Sequence, residues 1–327
     1  MSYNTYLSLD IGPHQTKAWL FDNQTGAYVL RGVAHAQTGL MAGGDVRQGV
    51  NLALDDLQRA TGARLLDANR QVNCRGEGAQ TDLDGAGLSF SAGEAIRTVL
   101  IGVSESYSIE ALRRLVSLFD TQVVLEVNLQ DDLNATAQLE KLILNPADLY
   151  VIAGGVDGGA ERTVRAAIEN IRLIYHQLPA LICPQVIYAG NADLAEYAAN
   201  EIEAGEDFHA TGNIQPVIGK TDVVVAWQAM LSAFTRIREQ QFPGLKALQD
   251  DLKTRAIPTL FSISRTVRLL DKINSHSKGI MALEVGETST GVVVSRGEEQ
   301  IAAEFQAEAS PQALALTEQL TSLPMES

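Results

Sequence analysis

The chain has 327 residues, 46% of them hydrophobic, which is enough for more than one domain with a full core. Its 40 acidic and 25 basic residues give a formal net charge of -15, which argues against general binding to nucleic acid or anionic membranes. No apolar run approaches the ~18 residues of a membrane span, and no charged-then-apolar leader precedes the first strand. With only two cysteines, the expected location is a reducing cytoplasm.

The first predicted element is a β-hairpin over residues 6–22, YLSLDIGPHQTKAWLFD. Alternating apolar residues lead to Asp10, a Gly-Pro turn follows, and a second apolar run begins after Lys17. Because Gly12 has no Cβ, the backbone N–H groups of this turn can approach a phosphate closely. The Thr16 hydroxyl and the Lys17 ammonium add donors, and Asp10 can hold Mg²⁺ through water. A plain surface hairpin gives the same sequence pattern. A second hairpin of the same kind elsewhere in the chain would favour phosphate binding over that alternative.

A second hairpin of this kind is predicted over residues 279–295, GIMALEVGETSTGVVVS. An apolar strand leads to Glu284, Gly286 follows, and hydroxyl side chains precede another apolar strand. These hydroxyls belong to Thr288, Ser289 and Thr290. Two such hairpins in one chain are much less expected by chance than one.

The segment after the first hairpin combines a strand, a helix and a polar stretch. A third strand is predicted at residues 28–36, followed by a helix over residues 45–61 with Gly62 as its left-handed cap. Residues 67–92 are polar and glycine-rich, and their aspartates lack the spacing of a calcium loop. A solvated loop is therefore predicted there.

From Thr98 onward, apolar strands alternate with amphipathic helices. The predicted strands are residues 98–103, 122–129, 149–153, 185–189 and 208–214. The predicted helices between them are residues 108–119, 133–144, 160–178 and 193–204. Alternating βα units of this length imply a parallel sheet covered by helices on both faces, which is a Rossmann-like unit.

The turn IAGGVDGGA ends one predicted buried strand of this unit and opens its longest helix. Gly154, Gly155, Asp157 and Gly158 form a candidate second ligand turn, because ligands of open α/β sheets bind beyond the strand ends. The spacing does not fit GxGxxG, so a dinucleotide site is not indicated. Glycines that only permit close packing, with Asp157 as a helix cap, explain the turn equally well. A small-molecule enzyme at this turn has least support, since no general base or nucleophile lies near it in the sequence.

The remaining segment is mainly helical apart from the second hairpin and one strand. The predicted elements are helices at residues 222–241, 245–255, 258–273 and 311–323 and a strand at residues 300–305. The long helix is expected to turn Val225, Met230, Phe234 and Ile237 inward. Five scattered histidines show no metal-ligand spacing, so no metal cage is predicted.

Taken in order, several segments resemble the glutamate mutase accessory-protein family, also called MutL or GlmL-like, over nearly the whole chain. They include DIGPHQTK, SAGEAIRTVLIGVSESYSIEALRR, PADLYVIAGGVDGGAERTV, PQVIYAGN and EVGETSTGV. The first hairpin by itself resembles the phosphate-1 loop of the actin, Hsp70 and sugar-kinase superfamily. The resemblance implies an α/β fold with actin-like, ribonuclease-H-like nucleotide-binding lobes and an inserted Rossmann-like parallel-sheet unit. The implied division is a ribonuclease-H-like part at 1–94, the Rossmann-like unit at 95–215, and a helical connector with a partial second lobe at 216–327.

The resemblance also implies a function, an ATP-binding accessory factor with a reactivating or chaperone-like role for an adenosylcobalamin-dependent mutase. Carried over by position, the nucleotide-binding residues are Asp10, Gly12, Thr16, Lys17, Gly286, Ser289 and Thr290. Asp10 and Glu284 are the implied catalytic residues, with Asp10 holding Mg²⁺ through water. The implied cofactors are thus ATP and Mg²⁺. The base-off cobalamin motif is absent, so any cobalamin belongs to the partner enzyme.

The second hairpin departs from the family pattern DxGGATTD. Glu284 replaces the first Asp, Glu287 the second Gly, and Gly291 the last Asp, and family members continue well beyond this loop. A longer Glu displaces a Mg²⁺ ion or an attacking water by about 1 Å, which can cost roughly 100-fold in rate. The departures argue against ATP hydrolysis and favour, as the alternative, a non-catalytic protein-interaction module that keeps the fold. Homo-oligomer formation, and whether the chain is part of a longer protein, stay open.

Overall fold

The computed structural model describes residues 4–24, 26–39, 44–74, 81–131, 135–159, 161–177, 184–274, 279–286, 289–297 and 299–306. Residue contacts divide them into two units. Unit 1 is formed by the residues up to Gly93 and those from Arg238 onward, and unit 2 is Glu94–Ile237. The sequence prediction separated residues 216–327 from the Rossmann-like part, whereas the contacts keep residues 216–237 in unit 2.

The elements are numbered in chain order. The first part of unit 1 contains β1 (Thr5–Ile11), β2 (Gln15–Gln24), β3 (Ala27–Gln37), α1 (Val46–Thr61) and β4 (Gly85–Phe90). Unit 2 contains β5 (Ile96–Gly102), α2 (Glu110–Val116), β6 (Thr121–Asn128), α3 (Ala135–Leu144), β7 (Leu149–Ala153), α4 (Glu161–Gln177), β8 (Gln185–Tyr188), α5 (Ala195–Ile202), β9 (Phe208–Ala210) and most of α6 (Trp227–Gln241). The second part of unit 1 contains α7 (Leu245–Leu252), β10 (Ala256–Pro258), α8 (Thr259–Asn274), β11 (Ile280–Val285), β12 (Ser289–Arg296) and β13 (Glu299–Gln306). The helix predicted at residues 311–323 lies outside the described residues.

The first sheet of unit 1 has the strand order β10-β4-β1-β2-β3. The β1–β2 and β2–β3 pairs are antiparallel, while β4 pairs in parallel with both β1 and β10. Leu7, Leu9 and Ile11 alternate along β1 and are fully buried. Helix α1 packs on β2 and β3, where a Cβ on Gly32 would lie 2.6 Å from the Thr61 side chain. This is the ribonuclease-H-like sheet that the resemblance predicted.

Helix α1 is confirmed together with both of its predicted ends. Asp45 is the N-cap, and its carboxylate accepts a hydrogen bond from the backbone N–H of Arg47. Gly62 is the left-handed C-cap with φ of 72°. Cap chemistry depends on residues within one turn of the helix end, which is why the sequence is sufficient to predict it.

The solvated loop predicted at residues 67–92 is wrong for its second part, because β4 lies there between β1 and β10. Leu88 and Phe90 are buried in this strand. Its first residues, Gly-Ala-Gly, have low strand propensity, which concealed it. The glycine at position 87 has a packing reason, since a Cβ there would lie 2.6 Å from the Tyr6 hydroxyl. Strand β10, three residues long, was also not predicted.

The second sheet of unit 1 consists of the antiparallel strands β11, β12 and β13, with α8 packed on one face. The Asp271 carboxylate of α8 accepts hydrogen bonds from the Ser295 hydroxyl at 3.1 Å and from the Gly297 N–H at 2.9 Å. Among the described residues, unit 1 therefore has one five-stranded sheet of ribonuclease-H-like order and one three-stranded antiparallel sheet. This architecture is consistent with the predicted actin-like fold.

Unit 2 has a five-stranded sheet with the order β6-β5-β7-β8-β9, in which all neighbours are parallel. In order of appearance along the chain this is 2-1-3-4-5, a doubly wound order. Every residue of β7 and β8 is buried, as expected of strands covered on both faces. Val164, Ile168 and Ile171 of α4 complete the core beside them. The predicted Rossmann-like unit is confirmed.

The long helix predicted at residues 222–241 begins later than expected. The Asp222 carboxylate caps a short 3-10 turn through the N–H of Val224, and the α-helix starts at Trp227. Because the 3-10 turn changes the helical phase, Val225 is 41% exposed, and its predicted inward position is wrong. Met230, Phe234 and Ile237 are buried as predicted.

Candidate functional site

The first hairpin has its turn at the predicted place. Asp10 lies opposite Lys17 and Ile11 lies opposite Thr16 in the β1–β2 register. The Gly12 N–H donates a hydrogen bond to the Gln15 carbonyl at 2.9 Å and closes the turn. Asp10 and Lys17, which are directly opposite each other, therefore share one face of the sheet.

Thr16 lies on the opposite face of this hairpin, because successive residues of a strand point to opposite sides. It is fully buried, and its hydroxyl is 3.1 Å from the Thr38 hydroxyl. Thr38 in turn donates to the Gly12 carbonyl at 2.9 Å. The Thr16 hydroxyl therefore supports the turn, and the structure does not bring it together with Asp10 and Lys17.

Two hydroxyl groups that the sequence did not point to bind the Asp10 carboxylate. Ser89 of β4 donates to Asp10 Oδ1 at 2.7 Å, and Thr259 at the start of α8 donates to the same oxygen at 3.0 Å. Ser89 is also the register partner of Asp10 in the parallel β1–β4 pair. Both donors are far from Asp10 in sequence, and Ser89 belongs to the strand that was not predicted. No local pattern could have identified them.

The second hairpin repeats the hydrogen-bonding pattern of the first. Glu284 lies opposite Gly291, and the Gly286 N–H donates to the Ser289 carbonyl at 2.8 Å. Thr290 lies opposite Val285, as Thr16 does opposite Ile11. In both hairpins the glycine lies two positions after the acidic residue. The residue that pairs with the acidic residue across the hairpin lies seven positions after it. Glu287 and Thr288 lie outside the described residues.

Two glycines surround the Glu284 carboxylate. A Cβ on Gly286 would lie 3.5 Å from Glu284 Oε1, and a Cβ on Gly291 would lie 3.8 Å from Oε2. A Cβ on Gly291 would also lie 2.7 Å from a methyl carbon of Leu260 in α8. Gly291, which stands where the family pattern has Asp, thus lets the helix approach the strand closely.

The first two residues of α8 contact both hairpins. Thr259 binds the Asp10 carboxylate, and Leu260 packs against Gly291 opposite Glu284. Contacts of the same helix continue along β11 and β12. The two predicted phosphate hairpins therefore both lie at the N-terminal turn of one helix, despite their separation in the chain.

The glycine-rich turn of unit 2 is held by hydrogen bonds to neighbouring loops. The Asp157 carboxylate accepts from the Ala192 N–H at 3.0 Å and from the Asn213 amide at 2.8 Å, and these bonds lower its pKa. The Gly158 N–H donates to the Asn191 side chain at 3.3 Å. Asp157 thus connects the loops after β7, β8 and β9.

Close packing explains one glycine of this turn directly. Gly154 has φ of 145°, and a Cβ there would overlap the side chain of Val103, which follows β5. Gly155 and Gly158 have φ of 73° and 70°, a conformation that favours glycine. Gly154, Gly155, Asp157 and Gly158 therefore lie together at the carboxyl edge of the sheet, as predicted, while their part in ligand binding stays a prediction.

Several features of the described residues belong to neither hairpin. Among the described residues, no group of three or more His, Cys, Asp or Glu side chains could hold a metal ion. A polar cavity of about 300 Å³ lies at the start of α1, beside Arg47 and Asp251, and its lining contains no residue of the two hairpins. Burial raises the pKa of the Cys74 thiol. Within the part of the chain that is described, no helix combines the length and apolar composition needed to cross a bilayer.

The strand orders of unit 1 and the paired hairpins are consistent with an actin-like fold that carries a Rossmann-like insertion. The chain matches the family model "MutL protein" over residues 6–316 and belongs to that family, the one that the sequence motifs resemble. No curated protein matches it. A solved structure of "diol dehydratase-reactivating factor in nucleotide free form" is similar at 12% identity and a TM-score of 0.17, over 98% of this chain and 63% of that one. The chain thus spans less than two thirds of that structure, and a TM-score of this size carries no argument.

Proposed function

We propose that this protein is an ATP-binding accessory factor, reactivating or chaperone-like, for an adenosylcobalamin-dependent mutase. The observation that carries the nucleotide part is the pair of hairpins with one hydrogen-bonding pattern, both in contact with the first turn of α8. Membership in the MutL protein family supports a mutase as the partner. ATP and Mg²⁺ are the proposed ligands, and the reducing cytoplasm is the proposed location.

The first hairpin supplies the groups for Mg²⁺ and phosphate. Ser89 and Thr259 both bind Oδ1 of Asp10, which leaves Oδ2 to accept from a metal-bound water. Exposed Lys17 stands opposite Asp10 on the same face and meets phosphate oxygens as a point charge. Gly12 keeps the turn tight, and Thr16 contributes by holding that turn through Thr38.

The second hairpin supplies Glu284 to orient water or metal, with Gly286, Ser289 and Thr290 around the phosphates. Gly286 and Gly291 leave room for the Glu284 carboxylate, because a Cβ on either glycine would lie within 4 Å of a carboxylate oxygen. Gly291 carries no acid where the family pattern has one. We therefore expect nucleotide binding with slow turnover. Helix α8 would transmit the bound state, because it contacts both hairpins.

The test is calorimetric titration of Mg-ATP into the full chain and two lysine variants. Wild type should bind, and Lys17→Ala should bind at least tenfold more weakly, because a phosphate partner is lost. The matched control is Lys220→Ala, which removes another exposed lysine, located in unit 2, and should bind as wild type does. Removing Mg²⁺ with EDTA should weaken wild-type binding. Titrations without heat for every adenine nucleotide would reject the proposal.

A second candidate, a non-catalytic interaction module, is favoured by the altered second hairpin. It would keep the fold and the partner complex without phosphate release. Co-purification from native cells, read by mass spectrometry with the nucleotide content of the same sample, separates the two. A stable mutase complex without nucleotide favours the module, and a nucleotide-loaded complex favours the first proposal. The mass of that complex also shows whether the chain forms a homo-oligomer.

The second ligand turn is proposed independently of ATP. If Gly154, Gly155, Asp157 and Gly158 bind a ligand at the strand ends, Asp157→Ala should abolish that binding while Mg-ATP binding stays unchanged. If Asp157→Ala changes neither the binding of that ligand nor the binding of Mg-ATP, the turn has only a packing role.

A further inference from the structure

The polar cavity of unit 1, with a volume of about 300 Å³, lies between the start of α1, residues 69–72 of the loop after this helix, and the last turn of α7. Its lining contains no residue of the two hairpins, so the cavity is separate from the proposed nucleotide site. Charged and amide side chains make up most of that lining, among them those of Arg47, Gln48, Asn51, Arg70 and Asp251. A cavity of this size suits a small molecule, and its polar lining suits a polar one.

The Asp251 carboxylate faces this cavity without a hydrogen-bond donor of its own. It is half-buried in the last turn of α7, and no group in the described part of the chain donates a hydrogen bond to it. Burial raises its pKa, and Arg47 acts on it through space without forming an ion pair. The dipole of α7 also opposes a negative charge at this end of the helix. A charged group with these costs and no compensating contact is a candidate for binding a ligand.

The two arginines at the cavity are held by other acids and keep some of their N–H donors. Nε and Nη2 of Arg47 bind the Asp45 carboxylate at 2.5–3.0 Å, and Nη1 makes no hydrogen bond to a described residue. Nη2 of Arg70 binds Asp55 of α1 at 2.5 Å, and its other nitrogens make none within the same residues. Each guanidinium therefore keeps N–H groups that can bind an anionic group.

The loop that carries Arg70 is fixed by its own hydrogen bonds. Asp67 Oδ1 accepts from the backbone N–H groups of Asn69 and Gln71 at 2.8 and 2.9 Å. Arg70 lies between these two residues with φ of 60°, which is uncommon for a residue with a Cβ. The Arg70 guanidinium is thus positioned beside α1 before any ligand binds, which lowers the entropic cost of binding.

We propose that this cavity binds a small zwitterion of the α-amino acid class. The carboxylate of the ligand binds the remaining N–H groups of Arg47 and Arg70, and its ammonium group binds Asp251. The side-chain amides of Gln48 and Asn51 add hydrogen bonds, since neither has a partner among the residues that are described. A simple anion would meet Asp251 and a simple cation would meet the arginines, whereas a zwitterion pairs with both charges.

The test is saturation-transfer difference NMR of the common L-amino acids, each added separately to the full chain. At least one of them should give a transfer signal. Two analogues of that amino acid, one without the amino group and one without the carboxylate, should bind about tenfold more weakly, because each leaves one charge of the cavity unpaired. If none of the amino acids gives a signal, the proposal is wrong.

Asp251→Asn distinguishes this cavity from binding elsewhere on the chain. The variant should bind the amino acid about tenfold more weakly, because the contact with the ammonium group is lost. It should bind the analogue without the amino group as wild type does. Asp250→Asn is the matched control and should bind as wild type does, because Asp250 is exposed on the same helix and does not line the cavity. Amino-acid binding that Asp251→Asn leaves unchanged would overturn the proposal.

Urea unfolding separates this effect from a folding defect. Without added amino acid, Asp251→Asn should be at least as stable as wild type, because a half-buried carboxylate without a donor has been removed. A loss of stability would show that the carboxylate holds the fold together, which would overturn its assignment to the ligand. Mg-ATP binding by Asp251→Asn should equal that of wild type, so this proposal and the nucleotide proposal can fail separately.

Discussion

Asp10 is the residue where three elements of unit 1 meet through hydrogen bonds. One carboxylate oxygen receives hydroxyl groups from β4 and from α8, and the carboxylate itself belongs to β1. The acid and glycine of this turn could be predicted from sequence because they are only two positions apart. The hydroxyl of Thr259 could not, because 249 positions separate it from Asp10.

Removing the Thr259 hydroxyl should destabilise the protein without changing the shape of the side chain. Thr259→Val loses one hydrogen bond to a charged group, and we expect a loss of about 1.5 kcal/mol in the free energy of unfolding. Thr266→Val is the control, because that hydroxyl donates only to the Ser262 carbonyl one turn earlier in α8. It should change stability by less than about 0.5 kcal/mol in the same urea titration. Equal effects of the two variants would contradict a special role for Thr259.

The glycine at position 87 is the second residue whose identity depends on a distant contact. Gly87→Ala places a methyl group 2.6 Å from the Tyr6 hydroxyl oxygen and should cost about 1–3 kcal/mol through overpacking. Tyr6→Phe in the same chain removes that oxygen and should recover part of the loss. Gly212→Ala is the control, since its nearest neighbour is the Val225 side chain at an ordinary 3.5 Å. Urea unfolding of wild type and these three variants checks this, and a Gly87→Ala protein as stable as wild type would contradict it.

At the scale of elements, prediction succeeded where the signal is local. Helix α1 and its C-cap glycine lie within one continuous segment, and both were predicted. Strand β4 carries two glycines and becomes a strand through its neighbours β1 and β10. The two hairpins were predicted for the same reason as α1, because acid, glycine and apolar strands are adjacent in sequence. Their meeting at α8 needs long-range packing.

The N-cap of α1 should make stability depend on pH. The hydrogen bond from the Arg47 side chain holds the pKa of Asp45 below its ordinary value of 3.8. Because the folded state has the lower pKa, the stabilisation is present above pH 3.8 and is lost as the pH falls through the folded pKa. Asp45→Asn keeps a good cap and removes the charge, so it should cost up to about 1 kcal/mol at pH 7.

Urea unfolding of wild type and Asp45→Asn between pH 7 and acid checks this expectation. The difference between the two proteins should shrink below pH 3.8. Asp56→Asn is a suitable control, because Asp56 lies on the same helix and its side chain is half exposed. The described ion pair of its carboxylate is with Arg59. A constant difference for Asp45→Asn over the whole pH range would contradict the role of the ionised carboxylate.

At the scale of the whole molecule, the chain leaves unit 1 after Gly93 and returns at Arg238. Unit 2 is therefore one continuous segment, whereas the first sheet of unit 1 is assembled from both sides of the insertion. Strand β10 comes from beyond residue 238 and pairs with β4. The alternation of strands and helices predicts unit 2 from the sequence. No local pattern predicts that β10 joins a sheet whose other strands precede unit 2 in the chain.

This asymmetry predicts that residues 94–237 fold on their own and that residues 1–93 do not. Unit 2 keeps all five strands and its core of α4 and α5 side chains when isolated. The segment 1–93 loses β10, so β4 becomes an open edge beside a sheet that also lacks α8. Fragment 94–237 should show dispersed methyl signals in NMR spectra and cooperative urea unfolding.

Val164→Asp in the fragment is the control for a real core, because Val164 is fully buried in unit 2 and a charge there has no partner. This variant should lose both the dispersed signals and the cooperative transition. Cooperative folding of residues 1–93 would show that β10 is dispensable for the first sheet. A fragment 94–237 that unfolds without a transition would show that unit 2 depends on the segments on either side of it.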